Sequence, residues 1–174
     1  FRMSLMRYRV TVMFGKPLPS TTDAFHVRRA VMELSCDYFN SRKEEHKSLG
    51  KSFISEARSS WFAPAADDTL GMKVTYGKAL IASVALARAI SPRVQDDKHI
   101  GILLPTSCAG MIANISAALL GRSAVNLNFT TSKQAFAHSI EQCGMHVIIT
   151  SRKFVERFPH YEISEEKLVF IEDI

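Results

Sequence analysis

Beyond Lys73 the chain falls into a strict alternation of short apolar runs, each apolar on both faces, with single helical stretches between them. Runs at 99–104, 123–128, 146–150 and 168–172 are separated by helical patterns at about 107–120, 132–143 and 153–158. A strand buried on both faces and followed by one helix is the mark of parallel sheet, because crossover helices cover both sides. The spacing therefore predicts an α/β layer over residues 74–173, entered through Val74-Thr75-Tyr76 and a helix with Leu80, Val84, Ala87 and Ile90 on one stripe. That helix carries only Lys78 and Arg88 before Ser91-Pro92, which should end it, and so is expected to be largely covered. Gly121 and Gly144 read as helix C-caps.

The first third reads differently. Tyr8, Val10, Val12 and Phe14 alternate as in a strand over residues 7–14, closed by Gly15 and Pro17-Leu18-Pro19. Val27, Ala30, Val31, Leu34 and Tyr38 recur at helical spacing to about Lys43, behind capping oxygens at Ser20, Thr21, Thr22 and Asp23. A weaker helix around Leu49, Phe53 and Ala57 leads to Trp61 and a loop at 63–68, where the main boundary is expected. The division is residues 1–19, a basic helical linker 20–65, and the α/β region 66–174. The net charge of +5 resides in this first third: residues 1–60 hold 11 Lys or Arg against 6 Asp or Glu, while the remainder holds 11 of each. Such an excess suits an anionic phospholipid surface or nucleic acid, or simply solvated helices. With no aromatic and basic interleaving on a strand face, no nucleic-acid partner is expected.

The 23 residues from His99 to Gly121 carry no Asp, Glu, Lys or Arg. Pro105-Thr106-Ser107 divides them into a strand and a helix, so a buried pair and not a membrane span is expected. Cys36, Cys108 and Cys143 form no C-x-x-C pair, which argues against zinc or a disulfide framework and for a reducing, cytoplasmic setting.

Ligands of parallel sheets gather at the carboxyl ends of the strands, here Pro105-Thr106-Ser107, Asn128-Phe129-Thr130-Thr131 and Ser151-Arg152. No Gly-rich phosphate loop and no H-E-x-x-H is present. His99 and His146, each opening a strand, read as structural. The pairs Glu44-Glu45, Asp67-Asp68, Asp96-Asp97 and Glu165-Glu166 read as solvated carboxylates, without a functional role. A helix start can lower the pKa of a thiol such as Cys108, but with no partner base in view it reads as an inert small residue. No catalytic, cofactor-binding or metal-ligating residue is assigned.

Val74-Thr75-Tyr76-Gly77-Lys78-Ala79-Leu80, Gly101-Ile102-Leu103-Leu104-Pro105-Thr106-Ser107 and Ala118-Leu119-Leu120-Gly121-Arg122-Ser123-Ala124-Val125-Asn126-Leu127-Asn128 follow one another in an order that resembles the opening of the AMP-binding domain of adenylate-forming acyl ligases. Ile148-Ile149-Thr150-Ser151-Arg152-Lys153-Phe154 and Val169-Phe170-Ile171-Glu172-Asp173 are similar to the acyl-ACP synthetase branch. In that branch the ligase follows a glycerophospholipid acyltransferase, whose end Val10 to Pro19 resembles.

The resemblance implies a parent enzyme that activates a fatty acid with ATP and Mg2+ to an acyl-adenylate, passes it to acyl carrier protein or CoA, and reacylates lysophospholipid at the inner face of the bacterial membrane. Thr75, Tyr76 and Asn128 match motifs that look architectural. Phe1 is not an initiator Met, and an apolar run precedes Ile174, so both ends are expected to continue in a longer protein. The family's ATP loop and catalytic lysine are expected beyond Ile174, and the acyltransferase His and Asp before Phe1. This chain alone is expected to bind no cofactor, to be inactive, and to self-associate through uncovered apolar faces. The competing reading is a non-catalytic, flavodoxin-like binding module.

Overall fold

The computed structural model describes residues 12–42, 47–94, 97–158 and 163–174. The chain divides between Lys47 and Ser48 into two compact units.

The described part of the first unit is an irregular segment, 12–20, and helix α1 (Ala24–Ser41). Asp23 caps α1 by accepting the His26 N–H at 3.0 Å. Residues 7–11 of the expected strand lie outside the described residues, and Val12, Met13 and Phe14 are not in a strand. Among the described residues no strand pairs with them, and alternation alone does not satisfy a backbone.

The second unit opens with α2 (Leu49–Ser59), so it includes a helix that composition had placed in the linker. α2 packs on α3 (Tyr76–Val94) and α4 (Cys108–Leu119). Gly50 makes the approach to α4 close, since a Cβ there would stand 2.9 Å from the Ala118 carbonyl oxygen. The expected loop at 63–68 instead contains β1 (Pro64–Asp67), paired antiparallel with β2 (Lys73–Thr75). Its Pro-Ala-Ala-Asp composition carries no strand signal. The antiparallel pairing is supplied by the turn, where Asp68 accepts the N–H groups of Leu70 and Met72.

The remaining elements are β3 (His99–Leu103), β4 (Ser123–Asn126), α5 (Lys133–Gln142), β5 (Ile148–Thr150), α6 (Arg152–Arg157) and β6 (Leu168–Phe170). The four strands form one sheet in the order β4-β3-β5-β6, with every pair parallel. This is the α/β fold with a parallel sheet and alternating helices that the period predicts. Each helix cap follows from local chemistry. Ser107, Ser132 and Ser151 accept backbone N–H groups at the starts of α4, α5 and α6, and Gly121 and Gly144 take positive φ after α4 and α5.

The sheet is covered on both faces. Leu86, Ile90 and Val94 of α3 and Ala113 and Ala117 of α4 pack on Ile100, Ile102, Ile149 and Val169. Phe136 and Ile140 of α5 and Phe154 of α6 pack on Leu103, Ile148 and Leu168. At about 25 cal/mol per Å2 of apolar surface, these two layers are the main source of the unit's stability.

Two details of α3 depart from the sequence expectation. The helix continues through Pro92 to Val94, because the chain beyond it packs Val94 into the core and the helix needs only its last turn to tolerate the ring. Its buried stripe is Ala79, Ser83, Leu86, Ala87, Ile90 and Val94, while Val84 is exposed. Small residues set that register: the Ser116 hydroxyl of α4 donates to the carbonyls of Ser83 and Ile112, at 3.0 and 2.7 Å, which draws the two helices together. Val84, with Ile81, therefore faces outward.

Candidate functional site

The strand order places the reversal of chain direction between β3 and β5: from β3 the chain moves to β4, then crosses back to β5. Loops leaving neighbouring strands at such a reversal part to opposite faces and leave a crevice at the carboxyl ends. Here the Thr150 hydroxyl donates to the Leu103 carbonyl at 2.8 Å, tying the two strand ends together beneath it.

The three loops expected to matter fare differently. The loop after β3 has a cleft on each side. One, of about 350 Å3, is lined by Leu104, Pro105, Thr106, Ser107, Gly110, Met111, Asn114 and Asn126. The other, of about 360 Å3, lies between Thr106-Ser107-Cys108 and the β1–β2 turn. Gly110 is required between them, as a Cβ would stand 2.9 Å from the Pro105 carbonyl oxygen.

The loop at 128–131 is closed on itself. Asn128 Oδ1 accepts from both the N–H and the hydroxyl of Thr130, and the Thr131 hydroxyl donates to the Asn128 carbonyl. Asn128 is thus architectural. Thr75 accepts the Lys78 N–H at the start of α3, and the backbone N–H of Tyr76 donates to the Ala63 carbonyl.

The third loop is bound to the end of the described chain. Arg152 holds Asp173 through two parallel contacts of 2.8 Å, stacks on Phe170 at 4.7 Å, and its N–H donates to Glu172. The Arg152 guanidinium holds the Asp173 carboxyl below its ordinary range.

The wall of the first cleft is a reciprocal amide pair: Asn114 Nδ2 donates to Asn126 Oδ1, and Asn126 Nδ2 to Asn114 Oδ1, both at 3.1 Å. Asn114 also donates to Gly110. The cleft thus offers neutral hydrogen-bonding groups over an apolar floor.

In the second cleft Asp68 Oδ2 accepts the N–H of Cys108 at 2.9 Å. That bond, followed by the one from Met72, holds the Asp68 carboxyl below its usual range. The sequence reading had passed over Asp68 as a solvated carboxylate, and no local signal marks a cap that acts across 40 residues. Burial, and then Asp68, push the Cys108 thiol up, which opposes the effect of the helix start. His146 and Asp97 bond at the opposite end of the sheet, Nδ1 to Oδ1 at 2.7 Å, and His99 Nδ1 bonds the Cys143 carbonyl at 3.0 Å. Both histidines have structural roles.

Among the described residues no group of three or more His, Cys, Asp or Glu side chains converges to hold a metal ion. The helix start nearest the crevice already carries a carboxylate, and Arg152 is committed to Asp173. These residues do not fit a metal–triphosphate. The arrangement can bind and position a neutral group, and contains no paired nucleophile and base.

Fold and crevice together define a doubly wound α/β protein whose strand order reverses between β3 and β5, the position where such folds form a crevice. The profile of the family described as "AMP-binding enzyme" matches residues 57–172, and the chain belongs to that family.

Solved structures with the same fold include o-succinylbenzoate coenzyme A synthetase from Bacillus subtilis in complex with AMP, at 19% identity and a TM-score of 0.59, over 73% of this chain and 32% of that one. Fatty acid AMP ligase from Legionella pneumophila matches at 13% identity and a TM-score of 0.62, over 73% of this chain and 24% of that one. The chain thus spans about a third or less of the length of these proteins.

Proposed function

We propose that residues 48–174 form the leading part of the large domain of a ligase that activates a fatty acid with ATP, through an acyl-adenylate. The observation that carries this reading is the family match over residues 57–172, which starts at the end of α2, ends just past β6 and lies wholly within the second unit. A fatty acid AMP ligase among the proteins of like fold supports the fatty acid as the acid.

On this reading the crevice of β3 and β5 positions the reactants and supplies no proton transfer. On the same reading ATP and Mg2+ are held by groups of the longer protein. The finer reading is an acyl-ACP synthetase joined to a lysophospholipid acyltransferase, with acyl carrier protein or CoA as acceptor and the whole at the inner face of the bacterial membrane. It rests on the segments Ile148 to Phe154, Val169 to Asp173 and Val10 to Pro19.

The test is ATP–pyrophosphate exchange with a series of fatty acids, measured on the 174-residue chain and on the polypeptide of the whole reading frame that contains it. Exchange by the longer polypeptide alone is the expected result. No exchange with any fatty acid by the longer polypeptide overturns the ligase reading, and exchange by the 174-residue chain overturns its predicted inactivity.

A further inference from the structure

Helix α1 carries two apolar arcs, one partly covered, with Ala30, Leu34 and Tyr38 half-buried but Val27 and Val31 exposed, and one more fully open. Leu34 lies on one arc and is approached by the preceding segment: a Cβ on Gly15 would stand 2.6 Å from Leu34 Cδ1. The other consists of Phe25, Met32, Cys36 and Phe39, which at 3.6 residues per turn fall within about 60° of the helix surface. Phe25, Met32 and Phe39 are 70%, 59% and 66% exposed, and α1 has no buried residue.

Charge is arranged around this second arc. Arg28 and Arg29 flank its centre, each about 50° away on opposite sides, whereas Glu33 and Asp37 lie about 90° or more away. Arg29 bonds Glu33 at 3.0 Å. The neighbouring segment adds exposed Val12, Phe14 and Leu18 with Lys16 among them. Residues 1–22 hold four basic side chains and no acidic one.

We infer that α1 and the 12–18 segment rest on an anionic lipid surface, with Phe25, Met32 and Phe39 in the acyl boundary and Arg28, Arg29 and Lys16 at the headgroups. Large apolar side chains on one side and cations along its rim are what an interfacial helix needs. Among the described residues no helix is long and apolar enough to cross a membrane, so the contact is lateral. A second copy of α1 packed in parallel would bring Arg28 and Arg29 against their counterparts, which disfavours that homodimer as the occupant. The inference deepens the membrane placement proposed above and stands apart from the ligase chemistry, which pyrophosphate exchange tests separately.

The experiment is flotation of the chain with vesicles of phosphatidylcholine alone or with one-third phosphatidylglycerol. Binding to the anionic vesicles only, weakened by salt, is expected. Arg28→Gln should weaken it about fivefold, and Phe25→Ser with Phe39→Ser about a hundredfold, with helix content by circular dichroism unchanged. In a Cys143→Ser background, a polarity-sensitive dye on Cys36 should shift to the blue on adding anionic vesicles. Equal binding to neutral vesicles, no binding, or full binding by the Phe25→Ser/Phe39→Ser protein overturns the inference. So does loss of a dimer in that variant, by light scattering, without any vesicle binding in the parent chain.

Discussion

The Asp68 carboxylate sits on the backbone N–H of Cys108, 2.9 Å away and 40 residues along the chain, and so locks the β1–β2 turn to the start of α4. The same carboxylate accepts from Leu70 and Met72, so one side chain closes a turn and caps a helix. Its folded pKa lies below its unfolded one. The stability it contributes is therefore present above the unfolded value of about 3.9 and is lost as pH falls through the folded value. Asp68→Asn should lower the melting temperature at pH 7 and make the acid limb of a melting-temperature profile shallower between about pH 5 and 3. An unchanged acid limb would remove Asp68 from this role.

Close backbone approach predicts a contrast between two glycines. Gly50→Ala puts a methyl 2.9 Å from the Ala118 carbonyl oxygen and should cost about 1–3 kcal/mol in urea unfolding. Gly121→Ala meets no neighbour within 4 Å, but holds φ at +69°, and should cost about 1–2 kcal/mol from the backbone alone. Replacing Ala118 with Gly leaves its carbonyl in place, so it should relieve neither.

Buried polar and apolar positions of β5 separate by magnitude. Thr150→Val deletes the bond to the Leu103 carbonyl and should cost about 1–2 kcal/mol. Ile149→Ala, at a fully buried position in the sheet's core, should cost about 2–5 kcal/mol by the same measurement.

The amide pair of the cleft wall should show as coupling and not as large single effects. Asn114→Ala and Asn126→Ala together should be less destabilising than their sum by about 0.5–1 kcal/mol in a double-mutant cycle. Additive effects would mean that the two amides do not meet in solution.

Thiol accessibility follows from burial. Cys36 is exposed and Cys108 buried, with its thiol pushed up. A disulfide reagent should therefore consume Cys36 at once and Cys108 only on unfolding, as mass spectrometry of the labelled peptides would register.

How much of this was legible in the sequence depended on how local each cause is. Gly121 and Gly144 announce the ends of α4 and α5, because capping is settled within a few residues, whereas the cap that Ser151 makes on α6 is not singled out by the pattern, which starts that helix near Lys153. The β1–β2 hairpin was illegible: Pro64-Ala65-Ala66-Asp67 has no β preference, and its pairing depends on Asp68, a residue that looked like surface charge. The register of α3 was misread at Val84 because the deciding contact, Ser116 to Ser83, joins two helices 33 residues apart. The loop after β3 is among the loops the strand ends single out, and it borders a cleft on each side. The Asn114–Asn126 wall was not foreseen, since nothing in the spacing of two asparagines 12 apart says that they meet.

The order β4-β3-β5-β6 also governs how the chain can be made. β3 lies between two partners, and the second of them, β5, ends at Thr150, 47 residues after Leu103. At about 5–20 residues per second, a ribosome delivers that partner roughly 2–10 s after β3. For that interval one hydrogen-bonding edge of β3, buried in the finished sheet, stands open in the nascent chain. The step that commits the sheet is thus the late arrival of Ile148-Ile149-Thr150, and a chaperone that shields β3 until then would raise yield more than one acting after release.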